Sequence, residues 1–222
     1  MFIINIEKKI RIANKDALII VDIQNDFVPG GALPVSKGDE IVGDVNKVAQ
    51  IFKSNKAIIV LTQDWHPKDH LSFASNHPGK KPGDEFRSDA IGPVLWPDHC
   101  VQGTQGANFH KDLNINLANA VIRKGLNPKV DSYSGFLEND KKTETGLAGY
   151  LKSLKIENLF VCGLALDYCC YATAMDGIQF GFKVYFLEDL TRGIDIPPGN
   201  VSNCLKNMEK KGIKFANKNS FI

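Results

Sequence analysis

The sequence predicts an α/β protein with a doubly wound, mostly parallel sheet of six strands and helices on both faces. Continuous β-branched runs at residues 17–21 and 57–61 are typical of strands that are buried on both faces. Between them, apolar residues recur at helical spacing over residues 41–52. The order strand–helix–strand predicts parallel strands that are joined by a right-handed crossover.

The remaining elements follow in order along the chain. We expect the six strands at residues 17–21, 57–61, 120–123, 159–162, 183–187 and 213–215. We expect helices at 41–52, capped by Ser36 or Asp39, and at 147–154, 168–180 and 199–210. Residues 64–116 show no sustained period, and a loop of this length in a compact domain is usually functional. Residues 2–12 fit either an added edge strand or a short helix.

Length and composition favour one ordinary globular domain. The 222 residues suffice for a single domain over 1–222, with residues 1–15 as a candidate N-terminal extension. The net charge of +2 gives no sign of a nucleic-acid or membrane partner, and no run of about 18 apolar residues predicts a membrane span. The five cysteines have no framework spacing, so a reduced, cytoplasmic setting is expected.

Chemically active side chains follow four of the predicted strands. Asp22 follows the first strand, Asp64 the second, Lys124 the third and Cys169 the fourth. Ligands of parallel sheets bind beyond the carboxyl ends of the strands, so we expect these groups to meet at one edge. Burial should raise the pKa of Asp22 and suit it to proton transfer. Lys124 should stay charged and stabilise a thiolate or a developing anion.

Cys169 is a candidate nucleophile. Gly163 is expected to end the fourth strand, and Asp167 to cap a helix that begins at Tyr168. Cys169 would then lie in the first helical turn, where the helix dipole favours the thiolate. The alternative interpretation is a small buried apolar residue, the common fate of a free cysteine.

Asp64 and His66 form a candidate metal site. Alternate residues of an extended segment share a face, so the carboxylate and the imidazole point the same way. His70 and His99 are the candidate further ligands. A mixed oxygen and nitrogen set suits zinc, iron or manganese, and the residues alone do not choose among these metals.

Six motifs span nearly the whole chain: residues 21–27 with 30–33, 63–67 with His70, 96–101, Lys124-Gly125, 131–136 and 163–169. In residue types and in order they resemble the motifs of the nicotinamidase/pyrazinamidase family, within the isochorismatase-like cysteine hydrolases.

The resemblance implies an isochorismatase-like hydrolase fold with a triad of Cys169, Asp22 and Lys124. It implies one divalent metal on Asp64, His66 and His99, with zinc ahead of iron or manganese and His70 as an optional fourth ligand. It also implies a cis peptide before Ala165, which would aim the backbone N–H groups of Ala165 and Cys169 at an oxyanion. Substrate-binding residues implied in the same way are Phe27, Trp96, Tyr133, Leu164 and Ala165. Two positions depart from the family pattern, Leu166 in place of threonine and Cys170 in place of a small aliphatic residue.

The activity implied is hydrolysis of nicotinamide, and also of pyrazinamide, through a cysteine thioester in NAD salvage. A homo-oligomer is compatible with this reading. One alternative is a related cysteine amidohydrolase acting on a carbamoyl substrate such as N-carbamoylsarcosine, against which Trp96 and the metal motif argue. Vinyl-ether hydrolysis of isochorismate would leave Cys169 unused. A non-catalytic metal or thiol redox sensor would leave Asp22 and Lys124 without a role.

Overall fold

A single six-stranded sheet lies at the centre of the computed structural model, which describes residues 4–88 and 90–222. Its strands are β1 Asp16–Val21, β2 Ile58–Asp64, β3 Ala120–Lys124, β4 Asn158–Leu164, β5 Lys183–Arg192 and β6 Lys214–Ala216. They are ordered β3-β2-β1-β4-β5-β6, and every neighbouring pair is parallel. The predicted fold class is therefore confirmed, with a sheet that is wholly parallel.

Helices cover both faces of this sheet. They are α1 Val42–Ser54, α2 Leu147–Ser153, α3 Tyr171–Gln179 and α4 Asn200–Lys210. The side chains of β1 alternate between the two layers, since Leu18 and Ile20 pack with α1 while Ile19 and Val21 pack with α2, α3 and α4. All of β1 is buried, which explains the uninterrupted apolar run that follows Asp16.

The fourth strand is longer than predicted. β4 does not end at Gly163 but continues through it to Leu164, with a register shift against β5 at this point. Gly163 has a φ of +118°, and a Cβ atom there would lie 2.0 Å from the carbonyl oxygen of Val21. Only glycine allows β4 to stay this close to β1 in that conformation.

Helix α1 begins differently from the prediction. Neither Ser36 nor Asp39 caps it through a side chain, because a 3₁₀ turn, Asp39–Ile41, leads directly into the helix. The backbone is already helical at Ile41, so the first α-helical N–H groups follow an existing turn.

The N-terminal segment lies along the far edge of the sheet. The first residues of the 2–12 prediction lie outside the described part of the chain. Ile6 and Ile10 make single parallel bridges to Phe215 and Phe221. This pairing fits the edge-strand alternative and not the helical one. Within the described ranges, 4–88 and 90–222, no helix has the length and apolar character needed to span a bilayer.

Candidate active site

The strand order brings four functional side chains to one edge of the sheet. Asp22 follows β1 directly, and Asp64 and Lys124 are the last residues of β2 and β3. Asp64 and Lys124 are paired across the two strands, so their side chains start from neighbouring positions. Cys169 follows β4, the other neighbour of β1. The structure brings these four groups together at one edge of the sheet, as the sequence predicted.

The ammonium group of Lys124 lies at the centre of this cluster. Its Nζ atom is 2.9 Å from Oδ2 of Asp22 and donates a hydrogen bond to Oδ1 of Asp64. It also donates to the Ser132 carbonyl at 2.8 Å and lies 3.5 Å from the Cys169 sulfur. Burial disfavours the charged lysine, but the two carboxylates outweigh this and raise its pKa well above the usual value. Lys124 is therefore a buried cation, and its charged state is the one that the sequence predicted.

Asp22 is placed to exchange a proton. The Thr62 hydroxyl donates to its Oδ1 atom at 2.6 Å, which fixes the plane of the carboxylate. Burial raises the pKa of Asp22, and the Asp64 carboxylate adds to this, while Lys124 opposes it. The raised pKa agrees with the sequence prediction and makes this carboxylate a stronger base than an exposed one.

The nucleophile candidate is not activated as the sequence predicted. Residues Leu166–Cys170 form a single π-helical turn, and α3 begins only at Tyr171, so Cys169 precedes the α-helix. Burial raises the pKa of the Cys169 thiol well above its usual value, and Asp22 and Asp64 add to this against the opposing effect of Lys124. The resting form is the thiol. The loss of water around the sulfur outweighs the charge of Lys124, which favours the thiolate. A base must therefore remove the proton when the sulfur reacts.

Asp167 does not cap that helix. The carbonyl of Ala165 accepts hydrogen bonds from the N–H groups of both Tyr168 and Cys170, which closes the wider turn. The Asp167 carboxylate points away from the turn and accepts from the backbone N–H groups of Ile194 and Asp195, each at 2.9 Å.

The peptide between Leu164 and Ala165 is cis, in agreement with the resemblance. Ala165 is nearly buried, and among the residues that the structure describes no acceptor takes its N–H. Ala165 lines the same pocket as Cys169, and a free N–H group there is the kind of donor that stabilises an oxyanion.

Three side chains form a group that could hold a metal ion. One ligand atom from each of Asp64, His66 and His99 lies within 4.8 Å of the other two. The Nδ1 atom of His66 lies 3.0 Å from the Gly125 carbonyl, and that of His99 lies 2.8 Å from the Pro97 carbonyl. A carbonyl only accepts, so each Nδ1 carries a proton, and Nε2 is the ring atom that each histidine could offer to a cation. This donor set fits one divalent metal.

His70 adjoins this group but is engaged elsewhere. Its ring centroid is 4.4 Å from that of His66. Its Nδ1 atom is 2.7 Å from the Ser72 hydroxyl and its Nε2 atom 3.2 Å from the Val130 carbonyl. Both ring nitrogens therefore have protein partners, and the three-residue ligand group does not include it.

Aromatic side chains enclose the space between the thiol and the histidines. Phe27, Trp96, Tyr133 and Ala165 line it together with Cys169, His66 and His99. The sequence did not single out four further lining residues, Leu33, Asp131, Tyr168 and Ile194. Leu164, a predicted substrate-binding residue, has its side chain in the core, where it packs against Gly38, and does not line this space.

Residues 16–219 of this chain match the isochorismatase domain family. The chain belongs to the isochorismatase family. Among its members, the nicotinamidase of Acinetobacter baylyi is 43% identical over 209 residues, covering 94% of this chain and 95% of the relative.

Two solved structures are similar over most of this isochorismatase domain. PnC1 from L. infantum in complex with nicotinate is 37% identical with a TM-score of 0.83, covering 96% of this chain and 98% of that one. The pyrazinamidase of Pyrococcus horikoshii in complex with zinc is 39% identical with a TM-score of 0.76, covering 91% and 99%.

Gln24 and Asp26, which sequence reasoning did not identify, help to position the candidate metal group. The Gln24 amide donates to the Asp64 carbonyl and accepts from the Asp64 N–H, both at 2.8 Å. The Asp26 carboxylate accepts from the N–H of Cys100 at 2.7 Å, next to His99. Both lie in the first quoted motif, but their partners are 40 and 74 residues away, so no local pattern indicates these roles.

The two departures from the family motif lie away from the lining residues. Leu166 and Cys170 are both buried and belong to the apolar layer that α2, α3 and α4 make with the sheet. Neither lines the space between the thiol and the histidines.

Proposed function

We propose that this protein is a nicotinamidase, an amidohydrolase that converts nicotinamide to nicotinate and ammonia. The observation that carries the proposal is the shared contact of Lys124. Its ammonium group contacts the Cys169 thiol, the Asp22 carboxylate and the Asp64 carboxylate, which belongs to the candidate metal group. Cys169 and Asp64 also line the pocket that holds the aromatic residues. The nicotinamidase that is 43% identical and the neighbour holding nicotinate support the same substrate.

Asp64, His66 and His99 would hold one divalent ion, for which we propose zinc because a similar pyrazinamidase is in complex with that metal. When bound, the ion supplies a Lewis-acidic site that orients the ring nitrogen of a pyridine carboxamide. Phe27, Trp96 and Tyr133 would hold the ring between aromatic surfaces, and the Trp96 indole N–H lies 3.3 Å from the Tyr133 hydroxyl. The ring is then held with its carboxamide toward Cys169.

Asp22 takes the proton of Cys169 as the sulfur attacks the carboxamide carbon, so the thiolate exists only as the C–S bond forms. The N–H groups of Ala165 and Cys169 stabilise the oxyanion, and the Lys124 ammonium offsets the negative charge beside it. Asp22 returns the proton to the leaving nitrogen, which departs as ammonia and leaves a thioester. Asp22 then deprotonates a water that attacks the thioester, and it passes this proton to the departing sulfur. The thiol is restored, and the acid product ionises to nicotinate.

The same site should accept pyrazinamide, which differs from nicotinamide by one ring nitrogen. We propose a role in NAD salvage in the cytoplasm, with the chain working as one domain over residues 1–222. A homo-oligomer is compatible with this role, whereas nucleic acid and membrane partners are not expected.

Ammonia release from nicotinamide, with nicotinate identified as the co-product, tests the proposal. Cys169→Ala should lower kcat by about 10³-fold or more, because no other group can form the thioester. Cys170→Ala is the matched control, since it removes an adjacent buried thiol outside the pocket and should retain most of the activity. Turnover of N-carbamoylsarcosine but not of nicotinamide would move the assignment to the carbamoyl amidohydrolases.

Metal content tests the ligand group separately from activity. Asp64→Ala should lose most of the bound metal measured by elemental analysis, because one of three ligands is gone. Asp69→Ala, which removes an exposed carboxylate from the same loop, should keep the wild-type content. Equal metal content in the two variants would contradict the assignment of Asp64.

A further inference from the structure

The segment from Gly193 to Gly199, which we call the wall segment, joins β5 to α4 and contributes one side chain to the catalytic pocket. That side chain is Ile194, which is half-buried and packs against the core. Ile196, two residues further on, is 53% exposed. Two aliphatic side chains, Ile194 and Leu33, therefore line the pocket in addition to its aromatic residues.

Asp167 holds the wall segment in place. Its two carboxylate oxygens accept from the backbone N–H groups of Ile194 and Asp195, each at 2.9 Å, and Oδ2 also accepts from the Asn200 amide at 3.1 Å. Asp167 is itself nearly buried. A buried carboxylate with three donors fixes the backbone on either side of Ile194, because each lost donor would leave a desolvated charge unsatisfied.

Tyr168 makes a second attachment. Its hydroxyl donates to the Ile196 carbonyl at 2.6 Å. Its ring lines the pocket and packs edge-on against Trp96 and Tyr133, with centroids 5.2 and 5.6 Å apart. Asp167 and Tyr168 directly precede Cys169. The turn that carries the proposed nucleophile is therefore also attached to the wall segment, which contributes Ile194 to the pocket.

We propose that Ile194 determines which ring substituents the pocket accepts, and that Asp167 is the positioning residue that holds Ile194 there. This inference rests on the proposed nicotinamidase activity. The Ile194 side chain carries no polar group and lines the same pocket as the aromatic residues, so it takes up part of the space that is open to a ring. An extra methyl group on the pyridine ring would have to displace it, and a well-packed pocket resists such overpacking.

The first experiment compares kcat/KM for nicotinamide with kcat/KM for nicotinamides that carry one methyl group at different ring carbons. Ile194→Ala should raise the ratio of the best methylated substrate to nicotinamide by about tenfold or more, the usual effect of one methyl group in an apolar pocket. Ile196→Ala is the matched control, because it removes the same atoms from the same segment at an exposed position. Its ratio should equal that of the wild type.

The second experiment tests positioning through Asp167→Asn, which keeps the size of the side chain but turns one acceptor into a donor facing a backbone N–H. We expect the substrate ratio to move in the same direction as in Ile194→Ala, with KM for nicotinamide raised more than kcat is lowered. A merely structural role would lower activity on all substrates alike and leave the ratio unchanged. If Asp167→Asn does not fold, Asn200→Ala removes a single donor and is measured in the same way.

The outcomes separate the two proposals. A wild-type protein that releases no ammonia from nicotinamide overturns the proposed function. If the wild type is active and Ile194→Ala has the same substrate ratio as the wild type, the role of Ile194 is overturned and the proposed function stands. A shifted ratio in Ile194→Ala with an unshifted ratio in the Asp167 and Asn200 variants overturns only the positioning role of Asp167.

Discussion

The buried ammonium of Lys124 contacts two carboxylates, a carbonyl and a thiol within one cluster. Asp22, Asp64 and Cys169 alone would offer three ligand atoms close enough together to bind a cation. Lys124 fills that position with a charge that belongs to the chain. Because Asp64 also belongs to the metal group, this one carboxylate links the thiol chemistry to the metal site.

Lys124→Met should lower the free energy of unfolding by about 3–5 kcal/mol, because it leaves two buried carboxylates without their counter-charge. The double variant Asp22→Asn, Lys124→Met should recover part of this loss, since it removes one of the two unpaired charges. Urea unfolding of the two single variants and the double variant checks the coupling. Strictly additive effects would show that the ion pair is not what stabilises the cluster.

At the scale of single elements, the turn after β4 sets the position of Cys169, the proposed nucleophile. β4 stays close to β1 through Gly163, and the following cis peptide and π-helical turn place Cys169 beside Lys124. The sequence pattern located the turn correctly, but it predicted an ordinary N-capped α-helix. Asp167 has a better set of donors in the wall segment than at a helix start, and this explains the difference.

Two glycine substitutions should have opposite effects. Gly163→Ala should destabilise the protein by more than about 3 kcal/mol, because its Cβ would meet the Val21 backbone and its φ disfavours other residues. Gly149→Ala is the control on helix α2, where nothing lies within 4 Å of the added atom. It should stabilise the protein by about 0.5–1 kcal/mol. Thermal unfolding compares both with the wild type, and a mild effect at Gly163 would contradict the close approach of the strands.

At the scale of the whole molecule, the site depends on burial. The strand order places the carboxyl ends of β3, β2, β1 and β4 side by side, and the long segment between β2 and β3 covers them. Burial also affects the carboxyl group of Asp131. It is buried, one of its carboxylate oxygens has no hydrogen-bond partner among the described residues, and burial raises its pKa from 3.8 to about 6.

This predicts how stability varies with pH in the metal-free protein. Because the folded state of Asp131 keeps its proton to a higher pH than the unfolded state, its contribution to stability is present below pH 3.8 and lost as pH rises through about 6. Asp131→Asn should therefore be more stabilising, relative to wild type, at pH 7 than at pH 4, by about 2 kcal/mol. Urea unfolding in the presence of a chelator measures this difference.

Asp140→Asn is the control with the opposite sign. The N–H groups of Thr143 and Lys142 and the Thr143 hydroxyl lower the pKa of the exposed Asp140 carboxylate, so its contribution is present near neutral pH and lost as pH falls. Asp140→Asn should be more destabilising at pH 7 than at low pH. Parallel pH profiles for the Asp131 and Asp140 variants would show that burial does not set the Asp131 response.

The sequence by itself determined the six parallel strands, their flanking helices and the chemical types at the strand ends. It could do so because apolar periodicity, and the residues that follow a strand, depend on neighbours in the chain. The motifs then carried the family assignment, with Asp22, Lys124 and Cys169 at the positions where the structure brings them together.

Only the tertiary structure decided the protonation of Cys169, the partners of Asp167 and His70, the core position of Leu164 and the presence of Ile194 in the pocket. These properties depend on burial and on groups distant in sequence. Lys124, for example, lies 60 residues from Asp64 and 45 from Cys169. A local pattern names the residues that can react, whereas the charge, the orientation and the solvent exposure of each are set by what the fold packs around it.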